Sequence, residues 1–243
     1  MTEMLSFGGG VNSAAMTILL VDEGWRGPIV FADTSAEWPE TYCWMRMFED
    51  QWLKPRGLEI TRLSPGSEWH NARRDCSLED YCLRIGLIPL LSMRWCSIEW
   101  KRVPIWAWAA EHGYDMQLLG MSAEEYRRIR DNSGVRYPLY EEGITRRECQ
   151  RIIERAGLPV PLKSGCFFCP GQALADWQRL YHEHPDLYER AALMEDNATR
   201  HRRNKSIATL DSHGISLREH AKRRWQGQMT MDLTQWLPCL CSL

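Results

Sequence analysis

The chain has 243 residues, 44% of them apolar and 26% charged, with a formal net charge of −2. This composition excludes a disordered chain and gives no global argument for a polyanion partner, while the length suffices for one α/β core with a small elaboration. No apolar run approaches the roughly 18 to 20 residues that cross a bilayer, and no secretory signal opens the chain, so a cytoplasmic location without a membrane partner is expected.

In chain order, residues 3 to 8 read as a short buried strand and 12 to 22 as a helix with Ala14, Ala15, Ile18 and Leu19 for packing. Gly24 and Gly27-Pro28 break the chain before a second strand, Ile29-Val30-Phe31, ending at Asp33. Pro39 suits the first turn of a helix running to about Leu53, Pro55-Arg56-Gly57 stops it, and Leu58 to Leu63 forms a third strand. Alternation of strands and helices predicts parallel β-structure with crossover helices. Residues 64 to 95 are irregular, and 96 to 112 read as a helix interrupted by Pro104. Met116 to Leu119 is a further strand, followed by Gly120 and a charged segment from Ser122 to Asp131. Thr145 followed by Glu148 is a capping-box pattern that opens a helix to Ala156. A cysteine-rich turn spans Gly165 to Gly171, and Asp176 to Asn197 reads as helical. The expected division is residues 1–165 as a nucleotide-binding α/β domain and residues 166–243 as a cysteine-containing helical region.

Gly8, Gly9 and Gly10 stand where the first strand passes into the first helix. Glycines there allow the backbone N–H groups to approach anionic oxygens, and Ser13 offers a further donor. The lysine and hydroxyl residue that close a Walker A loop are absent, and the spacing is not that of a dinucleotide fingerprint.

Nine cysteines, an odd count, with no secretory signal point to reactive or metal-bound thiols rather than a disulfide scaffold. Cys166-Phe167-Phe168-Cys169-Pro170 is a two-thiolate hook suited to zinc, an iron–sulfur cluster or dithiol redox chemistry. Cys239 and Cys241 form a second close pair, Cys76 and Cys82 lie in the irregular middle, and Cys43 and Cys149 read as buried apolar residues.

Taken together, the motifs resemble the PP-loop adenine-nucleotide α-hydrolase superfamily, in its phosphoadenylyl-sulfate reductase-like branch. Ser6-Phe7-Gly8-Gly9-Gly10-Val11-Asn12-Ser13 is similar to the pyrophosphatase loop, and Phe31 to Tyr42 to the second motif of that branch. Arg94-Trp95-Cys96 with Lys101 and Pro104, Leu119-Gly120-Met121 with Glu124, Glu125 and Arg128, and the stretch from Pro138-Leu139 to Cys169-Pro170 extend the match over about residues 4 to 180. The resemblance implies a three-layer α/β/α fold with a mostly parallel five-stranded sheet, ATP cleaved between its α and β phosphates, or recognition of a related adenosine phosphosulfate. It implies nucleotide binding by Ser6, Gly8, Gly9, Gly10, Asn12, Ser13, Asp33 and Thr34, and catalysis by Asp33, Lys101 and Arg94. Asn12 departs from the usual aspartate, which reduces the charge offered to Mg2+ and shifts any metal-binding role toward Asp33.

The resemblance also implies a [4Fe-4S] cluster on Cys96, Cys166, Cys169 and Cys239, with Cys241 and Cys76 as competitors for the fourth place and an open iron as a further arrangement. The reductases carry a Glu-Cys-Gly-containing tail that this chain lacks, since it ends Leu237-Pro238-Cys239-Leu240-Cys241-Ser242-Leu243. The expected activity is therefore ATP-dependent adenylyl and sulfur transfer, with DNA or tRNA as an acceptor that Arg200-His201-Arg202-Arg203-Asn204-Lys205 would contact. Reduction of an adenylyl sulfate and a catalytically inactive binding subunit are the alternatives. A sulfur-donor protein and a homodimer stand as open partners.

Overall fold

The computed structural model describes residues 2–69, 75–130, 133–202 and 206–225. In chain order its elements are β1 (Glu3–Ser6), α1 (Val11–Asp22), β2 (Ile29–Ala32), α2 (Pro39–Phe48), β3 (Ile60–Leu63), α3 (Leu78–Ile85), α4 (Trp95–Ser97), α5 (Val103–Glu111), β4 (Met116–Leu119), β5 (Val135–Arg136), α6 (Pro138–Glu141), α7 (Arg146–Arg155), α8 (Leu174–Glu183), α9 (Pro185–His201) and α10 (Leu217–His220). They divide into two compact units, Met1–Asp75 with Glu99–Ser164, and Cys76–Ile98 with Gly165–Leu243. No helix among the described residues is long and apolar enough to cross a membrane.

The first unit is a three-layer α/β/α arrangement around a five-stranded sheet in the order β3-β2-β1-β4-β5, with every pairing parallel. Alternation along the strands sends Leu5, Ile29, Phe31, Ile60 and Leu118 to one core with Ala14 and Ile18 of α1, Trp44 and Phe48 of α2, and Cys149 and Ile153 of α7. Met4, Val30, Ala32 and Leu63 enter the other core with Ile105 and Trp108 of α5. All four residues of β2 are buried, the continuous apolar pattern of a strand covered on both faces. Several tryptophans serve packing: Phe7, Trp44 and Trp52 each stack on Phe48 at centroid distances of 5.8, 5.0 and 5.5 Å.

β1 is flanked by β2 on one side and β4 on the other, so the chain winds in opposite directions from it. The carboxyl ends of β1 and β4 thus form a topological switch point, the place where open parallel sheets leave a crevice.

In the second unit, Ser77 caps α3 by accepting from Asp80 N at 3.0 Å, and Gly86 ends it in the left-handed region at φ 66°. Asn197 Nδ2 of α9 donates to Leu83 O at 2.8 Å, and Arg190 Nε of α9 donates to Glu79 Oε1 at 2.9 Å. These bonds explain a difference from the boundary at residue 165 drawn from sequence: residues 76–98 belong with the C-terminal helices. Glu195 of α9 is buried and accepts from Leu210 N at 2.6 Å and Leu217 N at 2.7 Å, fastening the following loop to the helix.

Two helix expectations need correction. Pro104 opens α5, after a π-type turn over Ile98–Arg102, and does not interrupt a longer helix. The helical stretch expected over 176 to 197 is two helices, because Pro185 starts α9 directly after His184, whose φ −134° and ψ 64° are not helical.

Candidate functional site

At the switch point the glycine loop leaves β1 and enters α1. Gly9 adopts φ +69°, which a Cβ would strain, and a Cβ there would also meet Thr41 Cγ2 at 2.9 Å. α1 starts at Gly10 without a side-chain cap, so its first-turn N–H groups receive no side-chain acceptor at the cap. Ser13 Oγ donates to Gly10 O at 3.0 Å, tightening the turn. The end of β4 approaches as closely as the backbone allows: a Cβ on Gly120 would lie 2.9 Å from Ser13 N and 3.0 Å from Asn12 C.

These segments wall a cavity of about 370 Å³ lined by Ser6, Gly8, Gly10, Asn12 and Ser13 of the loop and α1, Phe31 and Ala32 of β2, and Gly120 beyond β4. Among the described residues four cations also line it, Lys101, Arg128, Arg146 and Lys163, against one carboxylate, Glu125. A helix N-terminus surrounded by cations is suited to an anion such as a polyphosphate.

Asn12 organises this wall. Its Nδ2 donates to Glu125 Oε2 at 2.7 Å, and its Oδ1 accepts from Arg146 NH1 at 3.3 Å. Glu125 is the partner of Ser122 in a capping box, accepting from Ser122 N at 3.2 Å, and it also pairs with Arg128. Arg146 stands at the first position of α7, where its backbone N–H donates to Glu124 at 3.0 Å. Asn12 and Glu125 thereby hold two arginines at the cavity from two different segments.

Of the other residues singled out in the sequence, Lys101 lines the cavity and donates to Glu37 Oε1 at 2.6 Å. Asp33 and Thr34 lie just past β2. The Asp33 carboxylate accepts from Ser35 N at 2.8 Å and from Tyr42 Oη at 2.6 Å, while burial and then this carboxylate push the Tyr42 phenol well above its usual range. Asp33, Thr34 and Gly9 are not among the lining residues, nor is Arg94, which belongs to the second unit and takes the left-handed region at φ 49°. Arg146, Lys163 and Ser164 were not legible as site residues. Each is an ordinary polar residue in sequence and is brought to the cavity only by the packing of α7 on α1 and by the strand of chain that follows α7.

The thiols fall differently. Cys96, Cys166 and Cys169 all belong to the second unit, together with Cys76 and Cys82. Cys166 and Cys169 are joined by a turn in which Cys169 N donates to Cys166 O at 3.0 Å. Burial pushes the Cys82 thiol well above its usual range, with Cys96, Glu79 and Cys76 adding to the effect in that order. Arg190 links the two groups: it pairs with Glu79 and lies over the Phe167 ring at 5.0 Å. Cys239 and Cys241 lie outside the described residues. Cys149 sits fully buried in the first unit, where burial pushes its thiol up to about 11, and Cys43 is half-buried.

An all-sulfur donor set suits an iron–sulfur cluster or structural zinc. Among the described residues no three thiols lie within 4.8 Å of one another. In the basic segment, Arg202 NH1 donates to Ser206 Oγ at 3.1 Å and to Ile207 O at 3.0 Å, so it is turned toward its own loop; Arg203, Asn204 and Lys205 lie outside the described residues.

No family model matches the chain, and no curated protein matches it. Similar solved structures include a phosphoadenylyl-sulfate (PAPS) reductase from Candida auris in a phosphate complex, 17% identical, with 66% of this chain and 75% of that chain covered and a TM-score of 0.48. Another is the U34-tRNA thiolase NcsA from Methanococcus maripaludis with its [4Fe-4S] cluster, 14% identical, with 95% of this chain and 82% of that chain covered and a TM-score of 0.47. At these identities and scores, the assignment of chemistry rests on the chain's own residues.

Proposed function

We propose that the chain is an ATP-dependent adenylyl- and sulfur-transfer enzyme with a nucleic-acid acceptor. The observation that carries this reading is the cavity at the switch point, where an uncapped helix start and four cations from four segments surround one space. The phosphates of ATP lie along Gly8 to Gly10 and the first turn of α1. The acceptor oxygen attacks the α-phosphorus, the α–β bridging bond breaks, and pyrophosphate departs with the negative charge that Lys101, Arg128, Arg146 and Lys163 neutralise. AMP on the acceptor is then the leaving group that sulfur displaces.

Cys96, Cys166 and Cys169 would hold the [4Fe-4S] cluster, with Cys239, Cys241 or Cys76 as the fourth ligand. Such a cluster supplies an iron site at which sulfur is carried. Magnesium fits this chain less well. Glu125, the one carboxylate of the cavity wall among the described residues, is already bonded to Asn12, Ser122 and Arg128, so charge neutralisation is assigned to the cationic side chains.

A second reading, a nucleotide- and cluster-binding subunit without turnover, is favoured by the same observation, since neither Asn12 nor Glu125 offers an unengaged carboxylate. Anaerobic purification with iron and sulfide analysis, followed by incubation with ATP and single-stranded RNA or DNA, separates the readings. AMP and pyrophosphate formation with iron and sulfide bound supports the enzyme. Nucleotide binding without AMP supports the subunit. Sulfite release from adenosine phosphosulfate makes the chain a reductase, and zinc without iron removes the cluster.

A further inference from the structure

We propose that Ser164 is a phosphate-binding residue of the cavity, whose hydroxyl holds the pyrophosphate half of ATP at the start of α1. The proposal rests on the nucleotide reading above and deepens it by naming a residue and the part of the nucleotide that it selects.

The sequence points to Ser13 as the hydroxyl of the site, but the Ser13 proton is committed: its Oγ donates to Gly10 O at 3.0 Å, within its own turn. Ser164 lines the same cavity from the stretch of chain that follows α7. Its hydroxyl stands against the N-cap of α1, since a Cβ on Gly10 would lie 2.8 Å from Ser164 Oγ and 3.7 Å from Ser164 Cβ. Glycine at position 10 therefore leaves the room that this hydroxyl occupies. The Ser164 side chain is half-buried, and among the described residues its hydroxyl has no hydrogen-bond partner. The chain before it fixes this placement. Leu158 is buried in the core and Val160 packs against it. Trp44 Nε1 of α2 donates to Pro159 O at 2.7 Å. Pro159 and Pro161, each with φ held at about −65°, restrict the path from that anchor to the cavity.

The start of α1 has no side-chain cap and no acidic residue in its first turn. Its leading N–H groups can only donate, and a hydroxyl beside them can turn its proton toward the same point. The group that satisfies both is rich in acceptors, as a phosphate is, and hydrogen bonds to its charged oxygens are the strong ones. Lys163, the residue before Ser164, also lines the cavity and brings positive charge to this corner. The other part of the lining, Phe31, Ala32 and Ile105, is apolar and suits the adenosine half. The two halves of ATP are thereby assigned to opposite parts of the cavity, with the pyrophosphate half at Ser164.

The test is isothermal titration calorimetry of the full chain with ATP, inorganic pyrophosphate and AMP. Ser164→Ala is expected to weaken binding of ATP and of pyrophosphate by about tenfold, the loss of one hydrogen bond to a charged oxygen. AMP, which lacks the pyrophosphate half, is expected to lose far less. Ser164→Thr keeps the hydroxyl and is expected to retain most of the pyrophosphate affinity. Thermal unfolding of each variant reports folding. Ser164→Cys, close to serine in size but a weak donor, gives the same test where the alanine variant unfolds. Unchanged ATP and pyrophosphate affinities in Ser164→Ala, with the parent chain binding both, overturn the proposal and leave the nucleotide reading intact. An equal loss for AMP and pyrophosphate also overturns it, because the hydroxyl then does not select the pyrophosphate half. Failure of the parent chain to bind any of the three overturns the nucleotide reading and the proposal with it.

Discussion

Asn12 Nδ2 donates to Glu125 Oε2 at 2.7 Å, joining the first turn of α1 to the turn after β4. The amide matters because it offers a donor to a carboxylate. An aspartate at this position would replace that donor with a second negative charge.

Asn12→Asp is therefore expected to lower stability at pH 8 by about 1–3 kcal/mol, and Glu125→Gln in the same chain to restore most of it. Chemical denaturation of the single and double variants checks this. An Asn12→Asp variant as stable as the parent would mean that the pair does not hold the wall together.

Lys101 has a structural partner as well as a place in the cavity. The Glu37 side chain is wholly buried, and its Oε1 accepts from Lys101 Nζ at 2.6 Å. Lys101→Ala should destabilise the fold by about 3 kcal/mol by leaving that carboxylate unbalanced. Lys101→Ala with Glu37→Gln should recover stability without recovering ATP affinity. Recovery of both would show that Lys101 acts only through Glu37.

The glycines of the site differ in what they tolerate. A Cβ on Gly120 meets backbone atoms at 2.9 and 3.0 Å, whereas one on Gly8 meets only Ser13 Oγ at 3.7 Å. Gly120→Ala is expected to weaken ATP binding by about tenfold or more by forcing β4 from α1, and Gly8→Ala to be tolerated sterically. Calorimetry with ATP on both variants distinguishes them, and equal affinities would contradict the close approach.

Burial raises the Glu195 carboxyl to about 7, against the lowering effect of its bonds from Leu210 and Leu217. Because the folded value lies above the unfolded one, the unfolded state releases this proton first as pH rises. The contribution is absent below about pH 4.5 and becomes a loss of stability between there and about pH 7, on the order of 3 kcal/mol in full. Urea unfolding across that range should show the decline, and Glu195→Gln should flatten it. An unchanged slope in the variant would rule out Glu195 as its source.

The core of the fold was legible because β1, β2 and β4 are short apolar runs and α1 follows glycines, so period and punctuation agreed. The capping box at Thr145 likewise marked α7, with Thr145 N donating to Glu148 Oε2 at 2.7 Å. β5 was not legible, being two residues without an apolar pattern. The place of residues 76–98 was also hidden, because it depends on long-range bonds such as Asn197 to Leu83. At the site, the glycine loop and Lys101 had sequence signals, but Arg146 and Lys163 did not. Their side chains meet the loop only through tertiary packing, and isolated cations are common among the 30 in the chain.

The central claim is that the glycine loop and the cations around it hold the phosphates of ATP. A crystal structure of the protein with a non-hydrolysable ATP analogue tests it most directly. The phosphate chain is predicted to lie on Gly8 to Gly10 and the first turn of α1, within reach of Arg128, Arg146 and Lys163. Phosphates bound elsewhere on the protein, with this cavity holding none of them, would contradict it.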